Sequence, residues 1–138
     1  DSMSAVQWSE DLSSGFKEID DQHKELINRV NKLLDACNSG KGRQEIGDTL
    51  NFLADYVVEH FNSEEKYMKQ YNYPGLNEQI EQHKYFVGYV GELKNEFDKN
   101  GPSISLTMKL SKNLVEWLVN HIMKIDKKAG AFLKDKAH

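Results

Sequence analysis

Four histidines and two carboxylates occupy positions that should face the core of a helical protein. His60 and Glu64 lie four residues apart, so a helix would place them one above the other on one face. That face also carries apolar residues such as Leu53 and Val57. A buried ionised carboxylate is costly unless it is paired or bound to a metal ion. Inward positions of the same kind are predicted for His23, His60, His83, His121, Glu64 and Asp126.

These six side chains together predict a buried metal site. A single buried histidine is usually a hydrogen-bonded packing residue. Four histidines on four different segments, accompanied by two carboxylates, are typical of a bundle core that holds two metal ions. Mixed nitrogen and oxygen ligands favour iron, with manganese and zinc as lesser candidates. His138 lies at the chain end and is left out of the prediction.

The elements that must position these residues are predicted to be four amphipathic helices. Apolar residues recur with helical spacing in every segment, and none alternates like a strand. The sequence therefore predicts an all-α, antiparallel, up-down-up-down four-helix bundle made of one domain, 1–138. The predicted segments are an irregular arm over 1–15 anchored by Trp8, helices over 16–37, 43–70 and 75–99, a fourth helix capped by Ser103, and a short tail over 127–138.

The spacing of His121 and Asp126 is unusual for a regular helix. A separation of five residues rotates the two side chains about 140° apart. Both can face inward only where the helix widens locally or ends. We therefore expect such an irregularity between them.

Composition excludes several classes of partner. Lys plus Arg is 18 and Asp plus Glu is 22, which gives a net charge of −4 without any block of one sign. This argues against nucleic acid or an anionic membrane surface as the main partner. No apolar run is long enough to cross a bilayer. Cys37 is the single cysteine, so no internal disulfide can form, and we expect a reducing, cytoplasmic location. Because the chain begins with Asp1 rather than Met, it could be a piece of a longer sensor protein; otherwise we expect a monomer.

The arrangement of these motifs resembles the hemerythrin family, and its bacterial branch in particular. The motifs are His23 after Ile-Asp-Asp-Gln, His60-x-x-x-Glu64, His83, and His121-x-x-x-x-Asp126. The opening Trp8-Ser9-Glu10 and the segment 15–26 are also similar to that branch. The resemblance covers nearly the whole chain.

The resemblance implies a non-haem di-iron centre that binds dioxygen reversibly. Glu64 and Asp126 would bridge two iron ions, with an oxo or hydroxo group as the third bridge. One iron, with a vacant position for dioxygen, would be held by His23 and His60, and the other by His83 and His121. Dioxygen or small anions would be the ligands. By the same resemblance, the residues that would line the dioxygen pocket are Leu26, Phe61, Met68, Trp117, Leu118 and Ile122.

Gln79 departs from the family pattern, which has histidine four residues before His83. The amide oxygen of Gln79 could bind the iron of His83 and His121 as a weaker donor, or the amide could hydrogen-bond a water at that position. Two functions follow. The first is dioxygen binding for sensing, storage or delivery. The alternative is an enzyme with peroxidase, oxidase or nitric oxide chemistry at the iron opened by Gln79. A structural zinc bundle is disfavoured, since structural zinc prefers closed four-ligand sites with cysteine.

Overall fold

The computed structural model describes residues 6–136, apart from the side chains of His121 and Ile122. Within that part of the chain there are helices and connecting segments but no strand. Connections of three to five residues join successive long helices, so that neighbours run antiparallel and form the predicted four-helix bundle. The first three helices span Lys17–Asn38, Arg43–Gln70 and Leu76–Asn100.

The fourth helix is a continuous run that alternates between α-helical and π-helical geometry. Ser103 caps its start, because its hydroxyl oxygen accepts a hydrogen bond of 3.0 Å from the backbone N–H of Leu106. Its consecutive segments are Ile104–Met108 (α), Lys109–Leu114 (π), Val115–Trp117 (α), Leu118–Ile122 (π) and Met123–Lys136 (α).

The second π-helical segment lies where the spacing of His121 and Asp126 requires a wider helix. A π-helical turn adds one residue per turn, so a separation of five residues keeps the same face. Asp126 is accordingly fully buried. The side chain of His121 lies outside the described residues.

The predicted tail over 127–138 is wrong as far as Lys136, because the fourth helix continues to that residue. The lysines of this segment occupy its outer face, and the inner face carries Ala129, Gly130 and Leu133, which are all buried. Packing of this apolar stripe against the bundle stabilises the last turns of the helix. Residues 137–138 lie outside the described part of the chain.

The N-terminal arm is tied to the first helix by hydrogen bonds. The backbone N–H and carbonyl of Val6 both pair with the side-chain amide of Asn31 at 2.8 Å. The carboxylate of Asp20 accepts hydrogen bonds from the Ser14 backbone N–H at 2.7 Å and from the Ser14 hydroxyl at 2.8 Å. The arm is irregular except for one 3₁₀ turn at Glu10–Leu12, and Trp8 packs against the core as expected. Residues 1–5 are outside the described part.

The polar residues of the predicted site lie between two apolar clusters. The larger cluster contains Leu26 and Phe61, and the smaller one contains Ile19 and Leu133. On the first helix, His23 is about one turn from both Ile19 and Leu26 and so separates the two clusters. The bundle therefore encloses the candidate site with apolar packing on both sides. No helix among residues 6–136 has the length and apolar character needed to cross a membrane.

Candidate metal centre

Six polar side chains from all four helices are buried together in the bundle. Each has an exposed fraction of 2% or less. The first helix contributes one, the second and third contribute two each, and the fourth contributes one; these residues are His23, His60, Glu64, Gln79, His83 and Asp126.

The carboxylate of Glu64 lies at the centre of this group. One of its oxygens, Oε1, is 3.1 Å from Nε2 of His60 and 3.4 Å from Nε2 of His83. The other, Oε2, is 3.8 Å from Nε2 of His23. The two oxygens of one carboxylate thus face imidazoles from three helices, which is the arrangement a bridging ligand needs.

Four of the side chains converge closely enough to hold one metal ion. One donor atom from each of His23, His60, Glu64 and Asp126 lies within 4.8 Å of the other three. Within this group, Nε2 of His23 is 2.8 Å from Oδ2 of Asp126. The remaining described histidine, His83, contacts Glu64 from the third helix, as a ligand of a second ion would.

The unpaired atoms of the cluster fit a metal centre. Several buried polar atoms have no hydrogen-bond partner, namely Nε2 of His60 and of His83, both oxygens of Glu64, and Oδ1 of Asp126. Buried polar atoms without partners are rare and indicate an ion or water that fills the gap.

Hydrogen bonds at Nδ1 of His60 and of His83 determine that the lone pair of each neutral ring lies on Nε2. Nδ1 of His60 is 2.7 Å from Oε1 of Gln22, and Nδ1 of His83 is 2.8 Å from Oε2 of Glu65. Both oxygens are acceptors, so each Nδ1 carries the hydrogen, and in the neutral ring Nε2 presents a lone pair to Glu64. Lone pairs facing a carboxylate repel it unless a cation lies between them, and the donor set therefore fits metal ions.

Without a metal ion, the cluster has strongly perturbed proton affinities. Burial and the neighbouring charge of Glu64 raise the pKa of Asp126 to about 7. Burial also acts to raise the pKa of Glu64, but His60, His83 and His23 outweigh it and hold that pKa well below its usual range. Burial lowers the pKa of His23, yet the contacts with Asp126 and Glu64 leave it raised. In the metal-free protein, protons on these side chains therefore balance the negative charge that metal ions would balance in the loaded protein.

Sequence reasoning missed the two residues that contact the outer ring nitrogens of His60 and His83, the predicted ligand histidines. Gln22 bonds His60 and also donates to the Ser63 hydroxyl at 3.0 Å, which links the first and second helices. Glu65 bonds His83 across the second and third helices. A signal was available, because a metal-bound histidine almost always donates its other ring N–H to an acceptor. Polar residues adjacent to a ligand in the sequence are the first candidates.

Gln79 is buried one turn before His83 on the third helix. Its side-chain Nε2 has no hydrogen-bond partner. The position agrees with either role predicted for it, as a weak ligand or as a partner for a water. Its role at the metal stays a prediction.

The predicted dioxygen pocket is mostly buried around the cluster. Leu26, Met68 and Leu118 are fully buried. Phe61 stacks on the ring of His83 at a centroid distance of 3.9 Å. Trp117 is half-buried and stacks on Phe86 at 4.9 Å, and Phe86 contacts Phe61 at 5.8 Å. The side chain of Ile122 is outside the described residues, and the pocket itself stays a prediction.

The fold and the donor set define a class of protein: a helical bundle with a carboxylate- and histidine-lined metal centre in its core. The Hemerythrin HHE cation binding domain matches residues 14–133. The chain therefore belongs to the hemerythrin family.

Relatives and solved structures agree with this assignment. Bacteriohemerythrin of Methylococcus capsulatus is 39% identical over 114 residues, which are 83% of this chain and 85% of the relative. Myohemerythrin of Theromyzon tessulatum is 31% identical over 122 residues, 87% of each chain. A crystal structure of wild-type hemerythrin superimposes with a TM-score of 0.84 at 34% identity and covers 95% of this chain and 99% of its own.

Proposed function

We propose that this chain binds dioxygen reversibly at a pair of iron ions in the bundle core. The observation that carries the proposal is the buried carboxylate of Glu64, which faces imidazoles from three helices and accepts no hydrogen bond. Membership of the hemerythrin family supports iron as the metal and dioxygen as the ligand.

Each donor has a specific role in this proposal. Glu64 and Asp126 would provide ligands to both ions, His23 and His60 would hold the first ion, and His83 and His121 would hold the second. When bound, the pair of iron ions supplies the two electrons that reversible dioxygen binding requires. The protein supplies the donors, their orientation and a site closed to solvent.

The apolar side chains around the proposed site exclude water from it. Leu26, Phe61 and Leu118 are buried in the cluster that borders the ligands. A dry surrounding keeps water and protons from displacing the bound ligand, which retards irreversible oxidation of the iron.

The comparisons favour oxygen binding over the enzyme alternative, since the similar proteins are named bacteriohemerythrin and myohemerythrin. Use of the site for sensing, storage or delivery is a separate prediction, and so is a monomeric state. We propose the cytoplasm as the location, which is supported by the single, unpaired Cys37.

Optical cycling between air and argon tests the proposal. We expect the reduced, iron-loaded protein to gain a visible absorption band in air and to lose it under argon over repeated cycles. Zinc-loaded protein is the control and should show no change, because zinc has no redox chemistry. A band that forms once and does not reverse, or no band at all, would contradict reversible binding.

A further inference from the structure

The outer nitrogens of the two described histidines that flank Glu64 Oε1 have partners of different charge. Nδ1 of His60 donates to the neutral amide of Gln22, whereas Nδ1 of His83 donates to the carboxylate of Glu65. The Glu65 side chain is 28% exposed, so it reaches the buried His83 ring from the edge of the bundle. The two sides of the candidate centre therefore differ in the hydrogen-bond partners of their histidines as well as in their predicted ligands.

This difference in charge changes how strongly Nε2 of each imidazole donates electrons to a metal ion. An acceptor on Nδ1 fixes the tautomer and the orientation of the ring, and a carboxylate also raises the electron-donating strength of Nε2. Hydrogen bonds to a charged acceptor are roughly twice as strong as those to a neutral one. His83 should therefore be the stronger donor and the more firmly oriented ring.

His83, the stronger of the two imidazole donors, would share its iron ion with Gln79, which is a weaker donor than histidine. Gln79 is four residues before His83, so both side chains project from the same face of the third helix. Both are buried, and Nε2 of Gln79 has no hydrogen-bond partner. An amide is a weaker donor than an imidazole, so the ion held by His83 would lose affinity unless another group compensates.

We infer that Glu65 is a positioning residue that strengthens His83 and thereby offsets the presence of Gln79 at the second iron. The inference rests on the proposed di-iron site and concerns one of its two ions. It assigns to Glu65 a role that depends on which residue occupies position 79.

A double-mutant cycle on iron release tests this coupling. The measurement is the rate at which each iron ion of the loaded protein passes to an excess of a ferrous chelator. Glu65→Gln keeps a hydrogen-bond acceptor but removes the charge, and Glu65→Ala removes both. We expect Glu65→Ala to accelerate release of one of the two ions about 10-fold, since loss of such a partner costs 10- to 100-fold in metal affinity. Glu65→Gln should have a smaller effect on the same ion.

The second arm of the cycle repeats these substitutions in the Gln79→His background. Gln79→His alone should slow release of the same ion. With an imidazole at position 79, Glu65→Ala should accelerate release less than about 3-fold, because the ion no longer depends on His83 to the same degree. Glu59→Gln is the matched control, since Glu59 is an exposed residue of the same helix and loses the same charge.

Proton exchange at the ring provides a readout that a purely structural role of Glu65 would not change. Nδ1–H protons of imidazoles bound to paramagnetic iron give NMR signals outside the ordinary range. Glu65→Ala should speed solvent exchange of the His83 signal and leave the His60 signal, which depends on Gln22, unchanged. The same selective effect is expected whichever residue occupies position 79.

The outcomes separate this inference from the proposed function. Acceleration that is large with Gln79 and small with histidine supports the inference. Equal acceleration in both backgrounds, no acceleration in either, or equal changes of both ring signals would overturn it. Wild-type protein that holds fewer than two iron ions would instead contradict the proposed di-iron site.

Discussion

Glu64→Ala is expected to lower the iron content from two ions per chain to less than one. In the proposed site, this carboxylate balances the charge of both cations and bridges them, and its loss leaves two ions repelling each other inside the bundle. The neighbouring imidazoles are neutral donors and cannot replace that charge. Metal analysis after loading and removal of free iron measures the effect.

The same substitution should also remove the stabilisation that the metal provides to the folded protein. A ligand present at 100 times its dissociation constant stabilises the folded state by about 2.7 kcal/mol. For a chain of this size, that corresponds to a fall of about 10 °C in the melting temperature of the loaded protein. The melting temperature of wild-type protein should depend on iron, and that of Glu64→Ala should not.

Glu59→Ala is the control for this prediction, because Glu59 is an exposed carboxylate of the same helix. It should retain two iron ions and the wild-type melting temperature. If Glu64→Ala retains both ions and the wild-type absorption spectrum, then Glu64 does not bridge the ions.

Gly130→Ala is expected to destabilise the fold through the contact between the fourth helix and the N-terminal arm. A Cβ atom at position 130 would lie 2.2 Å from the carbonyl oxygen of Ser14 and 2.5 Å from its Cβ. The obstacle is backbone held in place by hydrogen bonds between Ser14 and Asp20, so the arm must move away. Such overpacking costs about 1–3 kcal/mol, which exceeds the 0.5–1 kcal/mol that alanine gains over glycine within a helix. Thermal unfolding of the metal-free protein measures the net loss.

Gly88→Ala gives the matched control, because it makes the same change within the third helix. Nothing lies within 4 Å of a Cβ atom at that position. Alanine should stabilise the helix there by about 0.5–1 kcal/mol. The two substitutions should therefore shift the melting temperature in opposite directions, and a stabilised Gly130→Ala variant would show that the arm does not pack as described.

The bundle could be predicted from sequence because each long helix carries a continuous apolar stripe broken only by the site residues. His60 and Glu64 stand out because a charged group buried within such a stripe is costly unless it is paired or bound to a metal ion. The family resemblance then gave the bridging role to Glu64 and Asp126. Spacing predicts that the helix either widens or ends near Asp126, since a separation of five residues does not keep one face in a regular helix. The structure shows that it widens.

The remaining features were harder to predict because their sequence signals are weak. Gln22 and Glu65 look like ordinary polar residues beside a ligand, and only the folded geometry shows which ring nitrogen each one contacts. The last turns of the fourth helix differ from the predicted tail, because lysines there are interspersed with only a few apolar residues. Their helical character rests on small buried residues, Ala129 and Gly130, whose apolar stripe is short.

An oxygen-binding isotherm of the reduced, iron-loaded protein, with its iron content measured on the same sample, tests whether the di-iron site binds dioxygen reversibly. We expect saturation at one dioxygen per two iron ions, and full recovery of the dioxygen when its pressure is lowered. Glu64→Ala, prepared in the same way, should bind none. Consumption of dioxygen that continues beyond one per pair, or that cannot be recovered, would contradict reversible binding at a single di-iron site.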